Sequence, residues 1–403
     1  KYTFCRRKGK GKMISSEMLR LGTSRSVIRE LFEYGNQRAA VVGREHVFDF
    51  SLGNPSVPAP PEVAALLAKL ACEDPVSLHG YTSAPGAPEV RAAVAEDLNR
   101  RFAAGVSADH LYMTAGAAAA LSACFKALAL PGDEFVAIAP FFPEYRCFVE
   151  QGAGAKLVVC PAAQDFQIDL SALEGCLNEH TKAVIVNSPN NPSGAVYTRE
   201  TLTALADLLR DASARYGHPI YLISDEPYRE IVYGVEVPWL PALYSNTLVC
   251  YSWSKSLSLP GQRIGYALVP PCVEDWQQVY AAVCGAGRAL GYVNAPALFQ
   301  RVVAQLPGNT ADLSVYRENR DILYTALVEA GYECPRPDGA FYLFPAVPGG
   351  DADAFSRRAM EKDLLVVPGD GFGCPGHVRI SYCVQPEILR RSLELFRRLA
   401  RSE

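Results

Sequence analysis

With 403 residues, 49% hydrophobic and 20% charged, the chain has ordinary globular composition and room for two or three domains. A formal net charge of -4 gives no reason to expect nucleic acid or an anionic membrane as a partner. No apolar run can span a bilayer, since the longest, residues 115–130, is alanine-rich and carries Lys126.

Residues 1–12 are basic, with Arg6, Arg7, Lys8, Lys10 and Lys12. They read as a tag remnant or an upstream extension, with Met13 as a natural start, and no secretory signal is visible. Periodicity through Val27, Ile28, Leu31 and Phe32 predicts a helix over 24–34, capped by Ser24 or Ser26 and stopped by Gly35. A short strand over 47–50 runs into a turn at Gly53, Asn54 and Pro55, and Pro61 opens a helix to Leu70. A loop over 81–88 precedes a helix over 89–102. From His110 onward strands alternate with helices. Strands are predicted at 111–114, 135–139, 155–160, 183–187, 220–224, 246–251 and 265–269, with helices at 117–128, 144–152 and 199–215. Apolar strands in this alternation predict a largely parallel sheet covered on both faces. Helices follow at 273–284, 296–306 and 308–330. The tail reads as a smaller α+β unit, with strands at 339–344, 364–367 and 378–383 and helices at 352–362 and 386–400. The strand at 47–50 could join it.

Twelve cysteines are scattered without a CxxC pair, most in apolar contexts such as Cys124, Cys160, Cys250 and Cys284. They predict reduced, buried thiols in a cytoplasmic protein. Six histidines lack metal-ligand spacing, so no metal is expected.

One stretch stands apart. Residues 252–265 hold Lys255 among Ser252, Ser254, Ser256 and Ser258, followed by a turn and Arg263. A lysine beside buried strands is costly as a free ammonium unless it is paired or neutralised. Forming an imine with pyridoxal 5′-phosphate neutralises it, and hydroxyls with an arginine suit the phosphate. A surface-loop lysine beside a serine-rich turn is the alternative. Other local signals carry their own alternatives. Asn190, Asn191, Pro192, Ser193 and Gly194 follow a strand, as a polar turn would. Asp225 ends a strand, where α/β folds place ligands, or it caps a helix. Gly116, Ala117 and Ala118 open a helix in a way that suits a phosphate. Arg379 lies inside an apolar strand and wants an anion, from a ligand or from an internal salt bridge.

In this order and spacing, from about residue 20 to the end, these pieces resemble the fold-type I pyridoxal-phosphate enzymes, specifically the class I/II aminotransferases. Tyr81 to Gly86, with Val90 and Arg91, belong to the match. The resemblance implies an α/β fold with a mostly parallel seven-stranded sheet. It places a large cofactor domain at 61–300 and a small α+β domain at 301–403, with 1–60 giving an N-terminal extension and part of the small domain. It implies that Lys255 carries the internal aldimine and moves the proton between Cα and the cofactor's C4′. Asp225 would keep the pyridine nitrogen protonated, and Tyr228 and Asn191 would hydrogen-bond the ring oxygen. Ser252, Arg263 and the N–H groups around Gly116, Ala117 and Ala118 would hold the phosphate. Phe142 matches the aromatic that stacks on the ring, although plain core packing would also explain it. Arg379 would clamp the substrate α-carboxylate, with Asn191 assisting and Gly53 giving close backbone. Tyr81 would reach the cofactor phosphate of a second subunit, making an obligate homodimer.

Two positions depart from the pattern. Ala118 stands where several subgroups carry Ser, Thr or Lys, which weakens a lysine clamp for a dicarboxylate side chain. Arg288, near Tyr292 and Asn294, is shifted by one residue from the second arginine of some aspartate-specific members, and reads as a surface or salt-bridge arginine rather than a clamp. The implied activity is transfer of an amino group between an L-amino acid and a 2-oxo acid by a ping-pong mechanism. A carbon–sulfur β-lyase shares every motif and stays open as the alternative. A transcription regulator is not expected, because only about twenty residues precede the match. The intact Lys255, Asp225, Tyr228, Asn191 and Arg379 argue against a degenerate scaffold. Specificity is expected to rest on residues 26–28, 142 and 285–294.

Overall fold

The computed structural model describes residues 14–23 and 27–401; the basic stretch at 1–12, Met13, Ser24 and Ser26 lie outside the described residues. The strands are Phe48–Asp49 (β1), Leu111–Thr114 (β2), Glu134–Ile138 (β3), Lys156–Cys160 (β4), Thr181–Asn187 (β5), Tyr221–Asp225 (β6), Thr247–Ser252 (β7), Gly265–Leu268 (β8), Tyr342–Leu343 (β9), Leu364–Leu365 (β10), Val367–Pro368 (β11) and Val378–Ser381 (β12). Seven of them form one sheet in the order β2-β8-β7-β6-β5-β3-β4. All neighbours in it run parallel except β8, which is antiparallel to both β2 and β7.

The seven strands are nearly continuous apolar runs because helices cover both faces. Alternate residues still part to opposite sides. Phe135, Ala137, Ala183 and Ile185 pack on one face beneath Ala120, Cys124 and Phe125 of the helix Ala117–Leu128. Val136, Val184, Val186 and Leu222 pack on the other beneath Leu202, Leu205 and Leu209 of the helix Arg199–Tyr216. The register sets Asn187 of β5 beside Asp225 of β6, and Asp225 beside Cys250 of β7, so three carboxyl ends line up at one edge. That edge is where open α/β sheets form a ligand crevice.

Two small sheets complete the described residues. One has the order β11-β12-β9 and is antiparallel; the other pairs β1 with β10 in parallel. The early strand therefore joins the tail. Their core holds Phe50, Tyr316, Leu323, Phe341, Phe355 and Phe396. The helix Pro386–Ala400 buries Leu389, Ser392, Phe396 and Leu399 along one stripe, leaving its arginines on the opposite side.

Several predicted elements are corrected. Gly35 does not end the first long helix, which spans Val27–Val42. A Cβ there would lie 2.8 Å from Leu365 Cδ1, so the glycine serves close packing. The strand expected over 364–367 splits into β10 and β11, which pair in different sheets. The strand expected over 339–344 shrinks to β9, because Ala340 takes φ 54°. The helix expected from 308 begins at Ser314, whose N–H donates to Asp312 Oδ1 at 3.0 Å. The helix expected over 144–152 is one α turn followed by a π turn at Cys147–Ala153.

Candidate active site

Beyond those carboxyl ends lies a cavity of about 260 Å³. Asp225, the last residue of β6, is 4% exposed. Its backbone carbonyl accepts from Asn187 Nδ2 at 2.8 Å, and its Oδ2 accepts from the Tyr145 hydroxyl. Its Oδ1 is buried without a partner. Burial pushes the carboxyl from 3.8 up to about 7; the Tyr145 hydrogen bond works against this and the nearby Glu226 adds to it. Glu226 is itself buried against Arg229 and accepts from Ser224 Oγ at 2.6 Å.

Lys255 stands on the single turn Trp253–Ser256 that follows β7, where Ser252 Oγ accepts from the Ser254 N–H at 3.1 Å. Lys255 Nζ points into the cavity and donates to the Gly53 carbonyl at 2.6 Å. Burial lowers its pKa to about 8; Cys383 opposes this, and Arg379 and Arg263 reinforce it. Gly53 is obligatory in this place, since a Cβ would sit 2.0 Å from the Tyr342 hydroxyl.

Arg263, in the left-handed region at φ 51°, donates to the carbonyls of Pro260 at 3.1 Å and Ala115 at 3.2 Å. Its guanidinium lies against Gly116, at φ 83°, where a Cβ would stand 2.7 Å from Nη2. The helix Ala117–Leu128 starts there without a side-chain cap, which leaves its first N–H groups for an anion. Ala117, Ala118, Ser252 and Ser254 line the same cavity as Arg263.

Arg379 on β12 is 2% exposed. It donates from Nη1 to Asn191 Oδ1 at 3.0 Å and from Nη2 to the Ser51 carbonyl. Its Nε has no partner, and among the described residues no carboxylate pairs with it, so the internal salt bridge is absent there. The guanidinium lies 4.8 Å from the Tyr342 ring centre and 5.0 Å from that of Phe372. Tyr228 and Tyr342 share a hydroxyl–hydroxyl hydrogen bond of 2.8 Å. Phe142 lines the cavity and meets Tyr145 edge-on at 5.6 Å.

The structure thus brings together Lys255, Asp225, Tyr228, Asn191, Ser252, Arg263, Arg379, Phe142, Gly53, Ala117 and Ala118, with Gly116 behind Arg263. Two named residues stand elsewhere. Tyr81 is 96% exposed and Arg288 is exposed, and neither lines this cavity. Tyr145 and Tyr342 line or support the site without a sequence expectation for either, while Ser254 is one of the hydroxyls expected around Lys255. Tyr145 sits three residues after Phe142, a spacing that puts both on one side of a helical turn. Tyr342 sits in an apolar strand, where a hydroxyl needs a partner.

Comparisons bear on this arrangement. The family model for aminotransferase class I and II matches residues 45–396. The aspartate aminotransferase of Thermotoga maritima is 30% identical over 362 residues, 89% of this chain and 92% of that protein. A solved aminotransferase from Eubacterium rectale is 56% identical, with a TM-score of 0.94 over 97% of this chain and 99% of its own. The Thermus thermophilus aspartate aminotransferase solved with maleate is 27% identical, with a TM-score of 0.83 over 96% of this chain and 100% of its own. A match across this much of the sequence, on the same fold, shows that the chain belongs to the class I and II aminotransferases.

Proposed function

We propose that this aminotransferase uses pyridoxal 5′-phosphate to move an amino group between an L-amino acid and a 2-oxo acid, returning to its starting form in two half-reactions. One observation carries the reading. A single cavity holds a lysine amine whose pKa burial lowers to about 8, a buried carboxylate with one free oxygen, and a buried arginine without a carboxylate among the described residues. The residues fit the cofactor. Free Asp225 Oδ1 suits a protonated ring nitrogen. The Gly116 cradle, which a Cβ would fill, joins Arg263, Ser252 and the uncapped helix start as a phosphate site. Tyr228 and Asn191 supply hydrogen-bonding groups for the ring oxygen, and Phe142 an aromatic face.

When bound, the cofactor supplies an electron sink for the pair released at the substrate's Cα. The chain's own groups do the rest. Arg379 takes the α-carboxylate through its planar fork, and Asn191 holds the guanidinium in place. Lys255 Nζ, whose depressed pKa leaves much of it unprotonated near pH 8, takes the Cα proton. Asp225 stays ionised once a cation faces its free oxygen, because an opposite charge reverses the burial shift. Purified protein reduced with borohydride should carry the cofactor on the peptide containing Lys255; label on another lysine would contradict the assignment.

Arg379→Ala is expected to raise KM for every amino donor and acceptor by about 10²-fold, with cofactor retention unchanged. Steady-state kinetics on several donors checks this. An unchanged KM would remove Arg379 from substrate binding.

The proposal includes a homodimer. Tyr81 projects into solvent, while the carbonyls of Thr82 and Ser83 accept from Asn294 Nδ2 at 3.0 Å, so the loop that presents it is tethered. Tyr81→Phe is expected to loosen the cofactor, and mixed dimers should show the defect in the other subunit's site. A fully active monomer would contradict this. Within the same proposal, residues 61–300 form the cofactor unit, and 301–403 with part of 1–60 the smaller one. The described cysteines are all free, which suits a reducing cytoplasm.

A further inference from the structure

We infer that Tyr342 is a positioning residue of this site: its hydroxyl donates to that of Tyr228 and so strengthens the hydrogen bond that Tyr228 gives the cofactor's ring oxygen. The inference rests on the proposed cofactor chemistry and deepens it at the same site. Strand register sets the arrangement. Tyr342 of β9 lies opposite Ser381 of β12, and Arg379 stands two residues before Ser381, on the same face of the pair. The Tyr342 ring is thereby held 4.8 Å from the Arg379 guanidinium, while its hydroxyl reaches that of Tyr228 at 2.8 Å. Both tyrosines are buried, and both line the cavity. The two rings meet edge-on at 5.7 Å, which keeps the hydroxyls facing each other.

Proton counting fixes the direction of the pair. A tyrosine hydroxyl has one proton to donate and lone pairs that accept. Once Tyr228 gives its proton to the ring oxygen, it can only accept from Tyr342. Among the described residues Tyr228 is the one hydrogen-bond partner of the Tyr342 hydroxyl, so the Tyr342 proton goes there. A hydroxyl that accepts a hydrogen bond donates its own more strongly. Arg379 adds to this. Burial pushes the Tyr342 hydroxyl up to about 12, and the Arg379 charge is the main influence against that rise, which favours Tyr342 as the donor. Asn191, the other group proposed for the ring oxygen, accepts from Arg379 directly. Tyr342 gives Arg379 a second route to the same oxygen, through Tyr228.

In the bound cofactor the ring oxygen neighbours the carbon joined to Lys255. A stronger donor to that oxygen therefore lowers the pH at which the linking nitrogen loses its proton. The test uses the holoenzyme without substrate and follows the visible absorption of the bound cofactor against pH. Tyr342→Phe is expected to raise the midpoint by about half to one pH unit. Tyr228→Phe should raise it further, and adding Tyr342→Phe to Tyr228→Phe should move it no more. A fluorotyrosine at position 342, whose hydroxyl is more acidic, should lower it. The charged and titratable groups facing the two hydroxyls are Arg379, Asp225 and Cys383, and those facing Lys255 Nζ are Cys383, Arg379 and Arg263. All of them stay in place in these variants, so the differences report the hydroxyls. An unchanged midpoint in Tyr342→Phe would overturn the inference while leaving transamination in place. So would an equal rise with and without the Tyr228 hydroxyl, or a fluorotyrosine enzyme with no lower midpoint. A higher KM for every donor with the midpoint unmoved would make Tyr342 a substrate contact instead. A protein that takes up no cofactor on Lys255 would overturn the proposed function and this inference with it.

Discussion

Asp225→Asn is expected to lower kcat by about 10³-fold or more and yet to raise the melting temperature of the cofactor-free protein at pH 8. The first effect follows from what the charge does. A fixed carboxylate facing the site where electrons accumulate acts mainly on the transition state, and an amide lacks the charge. The second effect follows from burial. The carboxyl moves from 3.8 to about 7 in the folded chain, so the folded state holds the proton to a higher pH than the unfolded chain does. Stability therefore falls as pH rises through this window; the cost is fully present above pH 7 and vanishes towards pH 4. Asparagine keeps the shape and can still accept from Tyr145, but carries no charge. The cofactor-free variant should gain at most about 4 kcal/mol at pH 8, with the gain closing as the pH falls towards 4. Thermal unfolding at pH 8, 6 and 4.5 reads this directly. A variant with near-normal kcat and a lower melting temperature at pH 8 would make Asp225 a structural cap.

Lys255→Ala is expected to remove activity by about 10⁴-fold or more, since the proton acceptor and the covalent anchor are lost together. Wild-type protein stripped of cofactor gives a complementary signal. Capture of pyridoxal 5′-phosphate needs an unprotonated Nζ. Burial places its pKa at about 8, so the capture rate should climb with pH below 8 and level off above it. In Lys255→Ala, borohydride should fix no cofactor to the chain. A capture rate indifferent to pH between about 6 and 9 would show that Lys255 is not the group reacting.

Much of this arrangement is legible in the sequence because its causes are local. A parallel strand buried on both faces must be apolar throughout, so β5 and β7 announce themselves, and polar residues at their ends stand out against them. Lys255, Asp225 and Arg379 are charged groups inside or beside such runs, and burial makes that costly without a purpose. Tyr145 is different. Its hydroxyl matters because the chain returns it to Asp225, 80 residues later, and nothing near position 145 records that contact. Gly35 misleads for a similar reason. Glycine is the ordinary stop signal for a helix, and only the approach of Leu365 from the far end of the chain explains it inside one. The break between β10 and β11 is also tertiary, since Leu364–Leu365 follows β1 and Val367–Pro368 follows β12. Tyr81 shows the limit of one chain, because it faces outward and its expected role needs a second copy, whereas Arg288 faces outward as a surface arginine would.

In the proposed reaction Lys255, Asp225 and Arg379 together perform one half of an amino-group transfer. The most direct measurement mixes holoenzyme with an excess of an L-amino acid, without any 2-oxo acid acceptor, and counts the products. One 2-oxo acid per active site is expected, with no ammonia, and a full return of the enzyme to its starting form when a 2-oxo acid is added. Continuous release of pyruvate and ammonia from cystathionine, with no single-turnover product from any amino acid, would contradict it and favour carbon–sulfur elimination.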